Sequence, residues 1–218
     1  MKFERGWAFP DADDFMIHEM KADGTYQRRN ALAAIGHCKE RRLAIDGGAH
    51  VGTWSRLLSS AFERVLAFEP SPDTFEALAW NMREFNCDNV EIRRAALGKT
   101  AGRASMSLAG FPRGEAQRNT GARIVHDATG DATDADIITI DSLDLRDLDL
   151  LKMDVEGSEV DALAGASATL QRCRPVVLFE DKGLWKRYGY KRAAPHAFLA
   201  ALGARQYERV GCDEIWGW

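Results

Sequence analysis

Apolar residues recur along this chain in two rhythms. Leu43, Ala44 and Ile45, and later Val65, Leu66, Ala67 and Phe68, form short continuous runs of the kind found in parallel strands buried on both faces. Between them Trp54, Leu57, Leu58 and Ala61 return at helical spacing, and Gly47, Gly48 and Gly52 supply a turn, so residues 41–69 read as strand, glycine turn, helix and strand. Ser71 and Pro72 then read as the cap and first residue of a helix carrying Phe75, Leu78, Ala79, Met82 and Phe85 toward Asn86. A third strand over 90–93 leads into Ala95-Ala96-Leu97-Gly98. A fourth is predicted over 148–154 and a fifth over 175–180. Ser158 opens a helix with Val160, Leu163, Ala164 and Leu170 as its buried stripe, and another helix spans 195–202 before Gly203. Residues 205–210 and 214–218 are spaced as a closing hairpin. The pattern predicts an α/β fold, doubly wound, with a mostly parallel seven-stranded sheet and an antiparallel edge hairpin.

Two stretches depart from this order within what reads as one domain over 1–218. Residues 1–40 are rich in aromatic side chains and end in a helix from Asn30, with Leu32 and Ile35 on its apolar side and Gly36 near its end. They are expected to form a lid or cap over the open end of the sheet, contributing Tyr26 or Gln27 to a pocket, or to cover one sheet edge. Within the core over 41–218, residues 99–136 form an irregular insertion. Its extended pieces at 104–108 and 122–126 suit an added ribbon, and Arg113 and Arg123 are candidate anion contacts for a substrate.

Composition narrows the partners. With 218 residues, 45% of them hydrophobic, the chain can bury one good core, and a net charge of −4 provides no global field to gather nucleic acid. The first residues are charged and no apolar run reaches about 18 residues, so a cytoplasmic protein without a membrane span is expected. Cys38, Cys87, Cys173 and Cys212 are far apart and lack metal-ligand spacing, as expected of thiols in a reducing compartment.

The chemistry concentrates at the strand ends. In an open parallel sheet ligands bind beyond the carboxyl ends of the strands, which puts Asp46, Glu69, Asp154 and Glu180 around one crevice, with Glu156 and Asp181 close behind. Glu69 follows Asp46 by 23 residues, a spacing at which a carboxylate can accept both hydroxyls of a ribose. The loop fits no pyrophosphate fingerprint in either register: from Gly48 the third and sixth positions are His50 and Thr53, and from Gly47 they are Ala49 and Gly52. An acid directly before the glycines suits instead a ligand with an amino group and no phosphate, such as S-adenosylmethionine. Ala95 and Ala96 leave room for an adenine ring. Lys152, two residues before Asp154 on the same face of a buried strand, is expected to reach Asp154 or Glu180, because an unpaired buried amine is costly.

Lys152-Met153-Asp154-Val155-Glu156-Gly157-Ser158-Glu159, with Asp46-Gly47-Gly48-Ala49-His50-Val51-Gly52 and Ala67-Phe68-Glu69-Pro70, resembles the FkbM family of S-adenosylmethionine-dependent methyltransferases, over about residues 43–181. The resemblance implies a Rossmann-like methyltransferase fold, S-adenosylmethionine as cofactor, and in-line transfer of its methyl group to a hydroxyl of a small molecule or sugar. Cofactor-binding candidates are Asp46, Gly47, Gly48, Ala49, His50, Gly52, Glu69, Ala95 and Ala96. Catalytic candidates are Asp154 or Glu180 as proton acceptor and Lys152 as the group that holds that carboxylate or steadies a developing alkoxide; His50 is a second base candidate whose place in the loop favours a cofactor role. No resident metal is assigned, although Asp154, Glu180 and Asp181 holding magnesium is an alternative. A nicotinamide-dependent oxidoreductase would need the missing glycines. A non-catalytic binding module would tolerate loss of Lys152 and Asp154.

Overall fold

A computed structural model describes residues 1–21, 24–107, 124–127 and 135–218. The chain opens with a small hairpin, β1 (Lys2–Glu4) and β2 (Trp7–Phe9), followed by α1 (Phe15–Glu19) and α2 (Arg28–His37). Then come β3 (Leu43–Gly47), α3 (Thr53–Ser59), β4 (Arg64–Phe68), α4 (Pro72–Glu84), β5 (Val90–Arg93) and β6 (Ala95–Leu97). β7 (Gly102–Ser107), β8 (Ile124–Asp127) and β9 (Ala135–Ile138) lead to β10 (Leu148–Met153), α5 (Glu159–Ala164), α6 (Ser167–Cys173) and β11 (Val176–Glu180). The last elements are α7 (Ala194–Ala201), β12 (Arg205–Val210) and β13 (Asp213–Gly217).

The main sheet has seven strands in the order β12-β13-β11-β10-β3-β4-β5. Its five inner-to-edge strands β11, β10, β3, β4 and β5 are parallel, and the β12–β13 hairpin adds an antiparallel edge, as the apolar pattern predicts. Alternate residues feed opposite cores. Leu43, Ile45, Leu66, Phe68, Leu151 and Phe179 pack with α5, α6 and α7 through Leu163, Leu170 and Leu199. Ala44, Val65, Leu150 and Leu178 pack on the other side with Ala34 and Ile35 of α2 and Trp54 and Leu58 of α3. Burial on both faces is why these strands read as continuous apolar runs. The chain winds outward through β4 and β5, then returns to build β10 and β11 on the other side of β3. The order therefore reverses between β3 and β10, where open α/β sheets hold their ligands.

Several local expectations change. On α2 the buried stripe is Ala31, Ala34 and Ile35, while Leu32, expected on the apolar side, is 55% exposed because it lies one residue off that stripe. The helix expected from Ser158 through Leu170 is two helices. Asp141 makes the break: its backbone N–H donates to the Gly165 carbonyl, and its carboxylate accepts the N–H groups of Ala168 (3.0 Å) and Thr169 (2.8 Å), starting α6 afresh. Ser71 precedes Pro72 as predicted, but its hydroxyl donates to Asp73 rather than capping the backbone. Ala95-Ala96-Leu97 forms a strand of its own: β6 joins β9, β7 and β8 in a second, four-stranded sheet. Within it β7 and β8 pair antiparallel, in line with the added ribbon expected of the insertion. Arg113 and Arg123 lie outside the described residues.

Gly165 touches this second sheet's connection directly. A Cβ there would stand 2.0 Å from the carbonyl oxygen of Gly98, backbone against backbone with no flexible side chain to yield. Gly165→Ala should therefore cost about 1–3 kcal/mol of stability, the usual range for overpacking, in a urea denaturation experiment. Wild-type stability would show that the connection at Gly98 gives way freely.

Candidate functional site

Register explains the centre of the site. In the β10–β3 pairing Lys152 stands opposite Asp46, and adjacent parallel strands present paired residues on the same face. The Lys152 ammonium lies 2.8 Å from Asp46 Oδ1 and donates to the carbonyls of Gly47 (3.1 Å) and Gly48 (2.8 Å). Asp46 is fully buried, and its Oδ2 accepts the Ser55 hydroxyl at 2.6 Å; Oδ1 receives the charge contact from Lys152 but no well-aligned hydrogen bond. Burial disfavours the ammonium, yet the Asp46 and Asp154 charges outweigh it and raise the Lys152 pKa. The expected partner of Lys152, Asp154 or Glu180, is thus replaced by Asp46. Asp154 lies past the end of β10, where strand alternation no longer holds.

The glycine turn is packed inward. Gly48 has φ +72° and Gly52 φ +94°, left-handed values that favour glycine. A Cβ on Gly48 would lie 1.9 Å from the Asp154 carbonyl oxygen, and one on Gly52 would strike Met82 and Leu78 of α4. These glycines serve the protein's own close packing. The turn's donors are also spent: the Gly48 and Ala49 N–H groups donate to the Phe68 carbonyl (3.0 and 2.9 Å), and the His50 N–H donates to Glu69 Oε2 (3.0 Å). Glu69 Oε1 accepts the Ser71 N–H at 2.9 Å, so its carboxylate is held from two sides. His50 Nε2 lies 3.1 Å from Asp13 Oδ2, which engages the ring of the second base candidate with the N-terminal segment.

One cavity gathers most of the predicted residues. Gly48, Ala49, His50, Glu69, Ala95, Ala96, Lys152, Asp154 and Glu180 line it; Asp46, Gly47 and Gly52 do not, lying behind its wall. Tyr26 also lines it, with Phe15 and Met16 of the N-terminal segment, while Gln27 lies behind, accepting the Trp54 indole N–H at 2.9 Å. Glu156, Ser158 and Lys182 complete the acidic side. The carboxylate oxygens of Asp154, Glu156 and Glu180 lie within 4.8 Å of one another, and Lys182 bonds Glu180 at 2.7 Å. Asp181, expected among them as a magnesium ligand, points the other way. It joins Arg209 at 3.4 Å and the His196–Glu214 pair, because consecutive residues at a strand end face opposite sides. Glu156 takes its place.

The motif from Lys152 to Glu159 now has a physical reading. Glu156 holds a left-handed φ of 52°, costly for a residue with a Cβ, and Gly157 at φ +109° passes where a Cβ would meet the Leu184 carbonyl at 2.8 Å. Glu159, buried, accepts the N–H groups of Val155 (3.4 Å) and Gly157 (3.2 Å) and clips the turn shut. Burial, then the Asp154 charge, pushes the Glu156 carboxyl up to about 8; burial raises Glu159 to about 7; burial and Asp154 also raise Glu180 against the pull of Lys182. Burial works against the Lys182 ammonium, but the bond to Glu180 and the surrounding carboxylates hold its pKa above the ordinary lysine range. Lys182 is the site residue that sequence reasoning passed over; Glu156 was placed beside the crevice but given no role. The signal for a second cation was the excess of acids at the strand ends.

Among the described residues no helix is long and apolar enough to cross a membrane.

Comparison with known proteins follows the same outline. A family model described as the methyltransferase FkbM domain matches residues 46–208. Methyltransferase 1 of Beauveria bassiana (strain ARSEF 2860) is 26% identical over 143 residues, 56% of this chain and 57% of that protein. The crystal structure of methyltransferase FkbM from Methylobacillus flagellatus KT superposes with a TM-score of 0.53 at 15% identity, over 82% of this chain and 44% of that one. Precorrin-6y C5,15-methyltransferase from Geobacter metallireducens GS-15 superposes with a TM-score of 0.54 at 14% identity, over 97% and 93% of the two chains. At these identities the solved structures establish the fold alone. The chain spans about half the length of the first relatives it matches.

Removing Lys152 strands a buried carboxylate. Lys152→Met is expected to cost about 3–5 kcal/mol in chemical denaturation, with most of the loss recovered when Asp46→Asn is added. A loss below about 1 kcal/mol would show that the pair carries no such load. The raised carboxyls set a pH dependence as well. Above the ordinary carboxylate range the unfolded chain has released protons that the folded chain still holds, so stability falls as pH rises toward about 8, the value to which Glu156 is raised. Melting temperatures measured across this range should show the fall, and Glu156→Gln should flatten it.

Proposed function

The chain belongs to the methyltransferase FkbM family, and from that premise we propose that it transfers the methyl group of S-adenosylmethionine to a hydroxyl oxygen of a small molecule or sugar. The observation that carries the cofactor reading is the glycine turn. Its successive N–H groups at Gly48, Ala49 and His50 are committed to Phe68 and Glu69, so those donors do not provide the cradle a pyrophosphate requires. A doubly anchored carboxylate, Glu69, stands beside that turn where a ribose would be held, and Ala95 and Ala96 give the same cavity a small apolar wall suited to adenine. This donor set fits a phosphate-free nucleoside and opposes the nicotinamide alternative.

When bound, S-adenosylmethionine supplies a methyl group made electrophilic by the sulfonium beside it. The chain's own task is then to bring an acceptor hydroxyl into line and take its proton, and alignment of this kind is worth up to roughly 7–11 kcal/mol. Asp154 and Glu180, with Glu156, offer carboxylates in the same cavity as Glu69, and a carboxylate whose affinity for a proton lies near neutrality is suited to general-base work. Lys182, bonded to Glu180, offers the positive charge next to a developing alkoxide that Lys152, committed to Asp46, does not. Lys152 acts by fixing the turn. The clustering of base candidates beside the cofactor wall supports an enzyme over a passive binding module.

Calorimetric titration with S-adenosylmethionine, S-adenosylhomocysteine and NADH, with and without magnesium, tests this. Saturable binding of the two sulfur compounds is expected, weakened roughly tenfold or more by Glu69→Gln through loss of a charged acceptor, without a matching loss of thermal stability. Binding of NADH alone, or tightening by magnesium together with insensitivity to Glu69→Gln, would overturn the reading of the pocket.

A further inference from the structure

The family match begins at residue 46, yet the cavity is walled partly by residues that precede it. We propose that Asp13 is a positioning residue of the cofactor site, holding His50 and, through the His50 backbone, the carboxylate of Glu69; the inference rests on the cofactor reading above. Asp13 is fully buried between β2 and α1. Its Oδ1 accepts the Met16 N–H at 3.0 Å, starting α1, and its Oδ2 faces His50 Nε2 at 3.1 Å. A buried carboxylate is tolerated only with partners of this kind. His50 in turn sits at φ 52°, a left-handed conformation that a residue with a Cβ adopts only when its surroundings impose it. That conformation aims its backbone N–H at Glu69 Oε2. Asp13 therefore grips the side chain of a residue whose main chain orients Glu69.

The segment that carries Asp13 is seated firmly enough to do this. Trp7, Phe9, Met16 and Met20 pack with Val51, the residue after His50, and with Ala77 of α4. Asn81, a polar residue wholly buried on α4, accepts the Ala8 N–H at 2.7 Å and donates to the carbonyls of Ala8 (3.0 Å) and Val51 (2.8 Å), stitching β2 and the glycine turn to one side chain. Phe15, Met16 and Tyr26 then line the cavity. Seating of the N-terminal segment and shaping of the cofactor pocket are thus one event, so loosening one must weaken the other.

The test is a double-mutant cycle on the full chain. Wild type, Asp13→Asn, His50→Gln and the double variant are titrated calorimetrically with S-adenosylhomocysteine, and their melting temperatures are recorded in parallel. Each single change should weaken binding within the 5- to 150-fold range of site-to-site coupling, at roughly tenfold, and the double variant should bind no more weakly than the worse single. A merely structural Asp13 would lower the melting temperature and leave the affinity of the folded protein alone. Wild-type affinity in folded Asp13→Asn, or penalties that multiply in the double variant, would overturn the proposal. Should Asp13→Asn fail to fold, His50→Gln decides, since it leaves the Asp13–Met16 bond intact: wild-type affinity there overturns the proposal equally. Absence of binding by the folded wild type would instead sink the cofactor reading itself, and this inference with it.

Discussion

A lysine on a central strand, nearly inaccessible to water, is the constraint from which the site follows. Lys152 needs anionic company, and the β10–β3 register supplies Asp46 directly across from it. Two of its protons go to the Gly47 and Gly48 carbonyls, which draws the turn down onto the strand ends. With the carbonyls facing Lys152, the N–H groups of the turn face the other way, to Phe68 and Glu69. The pair is costly in isolation, since desolvating both charges offsets most of their attraction, and its value lies in fixing one conformation of the loop.

The acidic side of the cavity is tolerated by a different arrangement. Asp154, Glu156 and Glu180 crowd together at the ends of β10 and β11, and three free carboxylates so close would repel. Lys182 offsets part of that charge, and burial with the Asp154 charge raises the proton affinity of Glu156 and Glu180. The turn that carries Glu156 is strained at Glu156 itself and held by the buried Glu159 carboxylate. Strain and raised proton affinity meeting at one wall of a cavity mark it as the place where proton chemistry is feasible. Glu69 and the small residues of β6 line the same cavity.

Much of this was legible along the chain, for reasons that are local. Strands buried on both faces must be apolar throughout, so β3, β4, β10 and β11 announce themselves, and the acids that end them are placed by the rule that sheet ligands lie beyond carboxyl ends. The edge hairpin and the start of α4 at Pro72 follow from spacing and turn chemistry in the same way. The family resemblance is most specific in the Lys152–Glu159 run, where Lys152 pairs with Asp46 and Glu159 closes the turn.

What the linear pattern determined by itself was therefore the kind of fold and the neighbourhood of the site. Tertiary structure decided the partners. Lys152 could be placed on a face, but only strand register chose Asp46 over Asp154; Asp181 and Glu156 each follow a strand-end acid within two residues, and only the direction of a strand end and a left-handed turn separated them. The break between α5 and α6 comes from Asp141, over twenty residues away, and the seating of the N-terminal segment beside the cavity comes from Asp13 and Asn81, whose contacts span tens of residues. Periodicity reports whether a side chain is buried, because burial depends on local geometry. It carries no record of which distant group will meet that side chain there, because pairing is fixed only when the whole chain has closed on its core.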